Sequence, residues 1–296
     1  MNLKEYLAEK KELIDRELQS YLPPAEGLYG KVAEAMSYSL MAGGKRLRPI
    51  LCLAGAEAAG ISTDNLLPVA CSLEMIHTYS LIHDDLPDMD DDDYRRGRPT
   101  CHKVYGNAVA ILAGDALLTE AFFLLTHEAY TQQLDPLRLR RVINIISEAA
   151  GIRGMIGGQV ADVDAEGKEV DLPVVNYIHT HKTGAMITAS VTAGALAGGA
   201  DVYTVTCLRR YGRRIGLAFQ IADDILDLVG SAKELGKNTG MDVARQKATY
   251  PAVVGMKAAR DAGHNLVKEA LGFLESFGDR AEPLRAVATY IMDRTS

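Results

Sequence analysis

The chain has 296 residues, 48% of them hydrophobic, so it can bury a large core without disulfides or a structural metal. Its formal net charge of −7 disfavours nucleic acid and anionic lipid as partners, because both are attracted by a positive field. Four scattered cysteines without CxxC spacing predict neither a disulfide framework nor a zinc site, and they favour a reducing, cytoplasmic setting.

Helical periodicity begins at the amino terminus and continues along nearly the whole chain. Apolar residues recur at helical spacing from Leu3 to Leu18, from Ala108 to Leu125 and from Leu208 to Leu228. Helix breaks are predicted at Pro23-Pro24, Gly43-Gly44, Pro87, Pro99, Pro136, Pro173, Gly230 to Gly240, and Pro283. The pattern predicts an all-α protein of about ten helices, and the absence of a linker-like stretch predicts one domain over residues 1–296.

Neither a signal peptide nor a membrane span is expected. The first 22 residues mix both charges with apolar residues, whereas a signal peptide has an uninterrupted apolar stretch. The longest uncharged run, Thr183 to Ala200, consists mostly of small residues, and it is too short and too weakly apolar to cross a bilayer.

Two apolar helices each end in paired aspartates. In the later segment, FQIADDILD, Asp223 and Asp227 lie four residues apart and share a helix face, with Asp224 beside them. In the earlier segment, HDDLPDMDDDDYRRGRPT, the pair Asp84 and Asp85 follows an apolar helix. Isolated buried carboxylates are costly, and a set of oxygen ligands without cysteine favours Mg²⁺ held between carboxylates and a substrate phosphate.

Each acidic segment also has a simpler interpretation. Residues 91 to 93 alone could form a solvated acidic loop, and the later segment alone could be an amphipathic helix with an exposed acidic stripe. Asp88 adds a carboxylate four residues after Asp84, so the two share a helix face unless Pro87 breaks the helix. Two similar clusters in one chain nevertheless favour a shared metal-binding role.

Basic residues that could complete a diphosphate site occur in several places. The turn GGKRLRP carries three cations, Arg95 and Arg96 follow the first acidic run, and Lys237 and Lys247 follow the second. The double glycine does not match a P-loop, so nucleotide binding is not predicted. His77 lies seven residues before Asp84 and shares its helix face, although a lone histidine there is more often a core residue.

Taken together, these motifs resemble the trans-isoprenyl diphosphate synthase family, and bacterial-type farnesyl diphosphate synthases in particular. The resemblance runs through GGKRLRP, DDLPDMD with RRGRPT, GDALL, GGQ, HKTG, FQIADDILD and GKNTGMD. It implies an isoprenoid-synthase-type helix bundle around a deep central cavity, three Mg²⁺ ions per active site with Mn²⁺ as a substitute, and a homodimer.

The resemblance also assigns roles residue by residue. Metal ligands would be Asp84, Asp85, Asp90, Asp223, Asp224 and Asp227. The allylic diphosphate would meet Arg95, Lys182, Lys237 and Lys247, and isopentenyl diphosphate would meet Lys45, Arg48, His77 and Arg96. Oxygens near Thr183, Gln220 and Gln159 would stabilise the allylic cation.

Product length would depend on the residues that form the cavity floor. Tyr79 and Ser80 lie five and four residues before Asp84, and an aromatic residue at this place resembles farnesyl synthases. A bulky ring would stop a chain of about three isoprene units by close packing, although Tyr79 could equally be a plain core tyrosine. The resemblance therefore implies farnesyl diphosphate synthesis from dimethylallyl and geranyl diphosphate.

Other activities remain as alternatives. A geranylgeranyl diphosphate synthase of the same family would use the same machinery. A terpene cyclase would not need the isopentenyl diphosphate residues and tends to carry many cavity aromatics, whereas this chain has no Trp and five Phe. A non-catalytic partner subunit typically lacks one aspartate motif, and both are intact here.

Overall fold

The computed structural model describes residues 1–229 and 247–294, and most of them are helical. The first half contains α1 Leu3–Tyr21, α2 Gly30–Leu40, α3 Leu47–Ala58, α4 Leu67–Asp84, α5 Cys101–Tyr105, α6 Asn107–Thr126, α7 Glu128–Thr131 and α8 Pro136–Ala150. The second half contains α9 Met155–Ala165, α10 Leu172–Ile178, α11 Ala185–Gly198, α12 Val202–Val229, α13 Tyr250–Val254, α14 Met256–Gly272 and α15 Glu282–Asp293. The predicted all-α class is confirmed.

A short hairpin is the exception to the helical pattern in the described ranges. Strands β1 (Tyr94–Arg95) and β2 (Arg98–Pro99) pair antiparallel, and the turn between them places Gly97 at a φ of 75°. Only glycine adopts that conformation readily. Two-residue strands are too short to produce an alternating pattern, which is why the sequence did not predict them.

Proline and aspartate define several helix ends. Asp135 and Asp171 cap α8 and α10 by accepting hydrogen bonds from backbone amides, and a proline follows each in the first turn. A capping carboxylate satisfies a free amide, and proline is tolerated where no amide partner is needed. The helix breaks predicted at the other positions are confirmed, and the segment from Gly230 to Gly240 lies outside the described residues.

The core is centred on the packing of α3 against α11. A Cβ atom at Gly194 would overlap the Cys52 carbonyl, and one at Gly55 would overlap the Val191 carbonyl. Glycine at both positions therefore lets the two helices approach closely. One hydrophobic cluster, including Ile14, lies on the α4 and α6 side, and a second lies between α12, α14 and α15.

Within the described ranges, α6 is the one helix long and apolar enough to cross a membrane by length and composition. Core helices of soluble proteins can share this length and composition. Ala113 and Leu117 of α6 are fully buried in the protein core, whereas Ile111, Leu112 and Phe123 are exposed.

A π-helical turn joins α10 to α11. It covers His179–Gly184 and lies in otherwise continuous helix. Such turns are rare and occur frequently at functional sites. This one carries Lys182 and Thr183, two of the predicted site residues.

Candidate active site

The first acidic cluster forms where α4 ends. The helix stops at Asp84, and the loop then turns back so that the Asp90 amide donates to the Asp84 carbonyl oxygen at 2.7 Å. Asp85 is buried just beyond the helix, whereas Asp88 is exposed. Because Pro87 follows the end of the helix, Asp84 and Asp88 do not share a helix face, and the fold brings Asp90 back to Asp84 instead.

The β1–β2 hairpin holds Arg95 against this cluster. Arg95 Nε donates to both carboxylate oxygens of Asp85 at 2.7 and 2.9 Å, and Nη2 lies 2.5 Å from Oδ1. A second carboxylate, Asp92, lies 3.5 Å from the same guanidinium. Burial raises the pKa of Asp85 although Arg95 opposes that rise. The hairpin therefore fixes a cation at the edge of the acidic cluster.

Ionisation of Asp84 is disfavoured in the folded protein. Burial raises its pKa from 3.8 to about 6, and Asp90 adds to the rise, while Lys182, Arg95 and Lys247 oppose it. The surrounding cations thus compensate the buried carboxylate only in part. A divalent cation would remove this penalty, and carboxylate oxygens are ligands that Mg²⁺ accepts.

The second acidic cluster lies on α12, and its three carboxylates differ in access. Asp227 is buried. Asp224 accepts a hydrogen bond from the Tyr250 amide at 2.7 Å and lies 3.3 Å from His179 Nε2. Asp223 is paired with Arg294 at 2.6 Å and keeps 31% of its side chain exposed. Asp223 is therefore the most accessible of the three to a metal or substrate.

Asp162 on α9 connects the cationic residues, and the sequence reasoning missed it. Its carboxylate lies 2.6 Å from Lys182 Nζ and 3.8 Å from Lys247 Nζ. Lys247 also donates to Asp90 at 3.1 Å. The structure thus brings Lys182 and Lys247 together beside the first cluster, while Lys237 lies outside the described residues.

The glycine of the GGQ segment permits this arrangement. A Cβ atom at Gly158 would overlap the backbone nitrogen of Lys182. The close approach of α9 to the π-helical turn therefore requires glycine at this position.

The three cations of GGKRLRP divide into two kinds. Arg46 is buried and donates to Asp15 at 2.7 Å, to Glu74 at 2.9 Å and to the Leu40 carbonyl at 2.7 Å. These contacts join Arg46 to three other parts of the helix bundle, so Arg46 stabilises the fold. Lys45, by contrast, is exposed.

Arg48 and Arg96 form a cationic group beside His77 of α4. Burial lowers the pKa of Arg48 to about 10, so it remains charged at neutral pH. Burial, together with Arg48 and Arg96, lowers the pKa of His77 well below its ordinary value, which leaves that imidazole neutral. Although Lys45 is exposed, partial desolvation and the nearby Arg294 also lower its pKa. The lowered pKa values of Arg48 and Lys45 mean that their positive charges are disfavoured in the protein, and a bound anion would stabilise them.

Thr183 and Gln220 meet on the active-site side of the π-helical turn. Thr183 Oγ1 donates to Gln220 Oε1 at 2.8 Å. Gln159 lies on α9, and its buried Oε1 has no hydrogen-bond partner within the described ranges. These oxygens are the predicted carbocation-stabilising groups.

Tyr79 lies in the core beneath the first cluster. It is 6% exposed, its ring packs edge-on against His83 at 5.8 Å, and burial raises its pKa to about 12. Its hydroxyl has no partner among residues 1–229 and 247–294. Ser80 Oγ donates to the His77 carbonyl at 2.8 Å. Tyr79 thus fills space directly below the aspartates.

A further group of possible ligands lies after the first cluster. Single ligand atoms from Asp91, Asp93 and His102 lie within 4.8 Å of one another, although Lys103 already pairs with Asp93 at 2.6 Å. The sequence reasoning interpreted residues 91 to 93 as a possible solvated loop. It did not find His102, whose place beside them depends on the hairpin.

Arg294 is a second residue that sequence reasoning left unassigned. It lies 71 residues after Asp223, and no local motif links the two. For Asp162 a pattern was available, since it follows Gln159 by three residues on the same helix face.

The chain is similar to known proteins in sequence and in fold. The polyprenyl synthetase family model matches residues 30–289. A farnesyl diphosphate synthase of Geobacillus stearothermophilus is 49% identical over 88% of this chain and 87% of its own length. The heterodimeric geranylgeranyl pyrophosphate synthase large subunit 1 of Arabidopsis thaliana is 46% identical over 98% of this chain and 78% of its own.

A solved structure gives the same result for the fold. An FPP/GFPP synthase from Zymomonas mobilis superposes with a TM-score of 0.87 at 38% identity, covering 98% of this chain and 99% of that one. Sequence and fold agree, and the chain belongs to the polyprenyl synthetase family.

Proposed function

We propose that this protein is a farnesyl diphosphate synthase that condenses isopentenyl diphosphate with dimethylallyl and geranyl diphosphate. The family consists of prenyl synthases that act on diphosphate substrates. The observation that carries the proposal is the group of cations around the first acidic cluster: Arg95 on Asp85, Lys247 on Asp90, and Lys182 joined to them through Asp162. Such a site suits a diphosphate held through a metal.

The residues present fit magnesium. The family is Mg²⁺-dependent in general, and the ligands offered by Asp84, Asp90 and Asp223 are carboxylate oxygens. The raised pKa of Asp84 is the feature that a bound cation would reverse. We propose three ions per site, with Mn²⁺ as a substitute.

The chain's own residues can then perform each step. Arg95, Lys182 and Lys247 donate to the allylic diphosphate and stabilise it as the carbon–oxygen bond breaks. When bound, Mg²⁺ would neutralise charge on the departing diphosphate. Oxygens of Thr183 and Gln220 face the allylic cation while the isopentenyl double bond attacks it. The condensed cation then loses a proton to the released diphosphate, which restores a double bond.

The isopentenyl diphosphate site is proposed at Lys45, Arg48, His77 and Arg96. Arg48 and Arg96 are positive groups whose pKa burial lowers, so an anion would stabilise them. Neutral His77 would donate a hydrogen bond rather than a charge. We expect this substrate to bind without metal.

A fifteen-carbon product is favoured by Tyr79. The ring is buried and held edge-on by His83, so it would resist displacement by a growing chain. The alternative is geranylgeranyl diphosphate, and relatives with 43–46% identity bear that name. Both acidic clusters and the cationic group are present, which argues against a terpene cyclase and against a non-catalytic subunit.

We also propose a homodimer in a cytoplasmic setting. Synthases of this family are often dimers, and the exposed Ile111, Leu112 and Phe123 of α6 offer an apolar face to a second copy. The four cysteines are free, three of them buried, which suits a reducing compartment.

Product analysis tests this proposal. Purified protein is incubated with Mg²⁺, labelled isopentenyl diphosphate and, separately, dimethylallyl, geranyl or farnesyl diphosphate, and the dephosphorylated alcohols are separated by chromatography. We expect a dominant fifteen-carbon product from the wild type and longer products from Tyr79→Ala. Tyr105→Ala is a control outside the α4 floor, and its product length should not change.

A dominant twenty-carbon product from the wild type would retain prenyl transfer and refute the role of Tyr79. No Mg²⁺-dependent product in any tube would refute the proposed function.

A further inference from the structure

A cavity adjoins the π-helical turn and is lined by Thr180, His181 and Gly184, but not by Thr183 or Gln220. It occupies about 710 Å³ between α8 and α12, with α11 as its floor. Small-molecule sites commonly occupy about 300–1,000 Å³. We call this cavity the rear groove.

The rear groove is strongly cationic. Arg153, Arg209 and Arg213 line it, and within the described ranges none of them has an ion-pair partner. A fourth arginine, Arg214, is already paired with Glu269. The carboxylate Glu148 also lines the groove, but its single negative charge is outnumbered by the arginines. The groove is therefore suited to bind an anion with several oxygens, such as a diphosphate.

The floor of the groove is effectively apolar. Ala185 and Ala189 contribute methyl groups. The hydroxyls of Thr188 and Thr192 donate to backbone carbonyls one turn earlier, at 2.8 and 2.7 Å, so they need no ligand. Leu217 completes an apolar surface beside the arginines. A ligand with an anionic head and a hydrocarbon chain matches this combination.

The groove and the active site share a wall. Gly184 lines the groove, and a Cβ atom on Gly216 would lie 2.8 Å from Gly184 Cα, so the two backbones cross in close contact there. Thr183, one residue earlier, bonds Gln220 on the active-site side. A ligand in the groove would therefore touch the same π-helical turn that presents Lys182.

We propose that the rear groove binds a second diphosphate-bearing molecule, with Arg153, Arg209 and Arg213 on the diphosphate and the α11 floor under a prenyl chain. The choice of a diphosphate as ligand rests on the proposed function. Bound there, the molecule contacts the turn that carries Lys182 and lowers the turnover of the enzyme.

Calorimetric binding in EDTA tests the site without the metal-dependent mode of the active site. Wild type, Arg209→Gln/Arg213→Gln and the control Arg140→Gln/Arg210→Gln are titrated with inorganic diphosphate and with farnesyl diphosphate. Both double variants lower the net charge equally, all four arginines are exposed, and neither control residue lines the groove. Circular dichroism melting checks that both variants fold.

We expect one binding event to weaken about tenfold or more in the groove variant and to persist in the control, as charge-assisted hydrogen bonds are lost. If the groove variant loses binding of both ligands, the diphosphate group alone is enough for binding at this site. If it loses binding of farnesyl diphosphate only, the site also requires the prenyl chain. Equal binding in all three proteins would overturn the proposal. So would a changed oligomeric state of the groove variant in sedimentation with unchanged binding, since a second copy would then occupy the groove.

A kinetic readout separates this proposal from the proposed function. In the wild type and the control, farnesyl diphosphate should lower the turnover even when geranyl diphosphate is in excess. This inhibition should disappear in the groove variant. If no protein showed prenyl transfer but the calorimetric difference persisted, the proposed function would fail and the groove site would stand.

Discussion

Replacing Asp84 by asparagine should stabilise the metal-free protein. Burial raises the Asp84 pKa from 3.8 to about 6, so the folded state disfavours the ionised carboxylate that the unfolded chain accepts. At 1.36 kcal/mol for each pKa unit, this difference corresponds to about 3 kcal/mol. That is an upper estimate of the stability gained by Asp84→Asn at pH 8 in EDTA.

The pH dependence gives the sign. Because the folded pKa lies above the unfolded one, the penalty is absent at low pH, grows as pH rises from about 4, and is complete above about 6. At pH 5 the gain should therefore fall to about half of its pH 8 value. Mg²⁺ with diphosphate should stabilise the wild type and not the variant, because the metal would bind the ionised carboxylate.

Urea unfolding followed by circular dichroism measures these differences. Asp88→Asn, an exposed position in the same loop, is the matched control and should change stability by less than about 0.5 kcal/mol. An Asp84→Asn protein that is no more stable than the wild type at pH 8, or equally stabilised at pH 5 and pH 8, would refute the reasoning.

Three further changes test other contacts. Arg46→Gln leaves Glu74 buried without its cation and should cost about 3–5 kcal/mol in urea unfolding; a cost no greater than that of the exposed Arg16→Gln would contradict this. Gly158→Ala should lower the free energy of unfolding by about 1–3 kcal/mol, because the added methyl group would overlap the Lys182 backbone nitrogen. Gly272→Ala, with open space around it, should leave the stability nearly unchanged. Asp162→Asn should raise the KM for the allylic diphosphate about tenfold through Lys182, since a charge-assisted bond is lost; the same rise in Asp164→Asn would refute it.

The parts of the fold that depend on local chemistry were predictable. Helix ends follow from proline and capping residues such as Pro136 and Asp135, whose effects act within one turn. The two acidic clusters were also visible, because each is contiguous in sequence and follows an apolar helix.

What the sequence could not provide is burial and long-range pairing. GGKRLRP contains three cations, and nothing local distinguishes Arg46, which is buried against Asp15 and Glu74, from Arg48. The pairing of Arg294 with Asp223 depends on how α15 packs against α12. The position of Asp88 outside the cluster depends on where α4 stops.

We propose that the acidic clusters of α4 and α12 hold one diphosphate through metal. Crystals grown with Mn²⁺ and a non-reactive thio analogue of geranyl diphosphate would test it by anomalous diffraction. We predict Mn²⁺ peaks between Asp84, Asp90 and Asp223, around a single diphosphate contacted by Arg95 and Lys182. Peaks confined to Asp91, Asp93 and His102, or none beside the diphosphate, would contradict the claim.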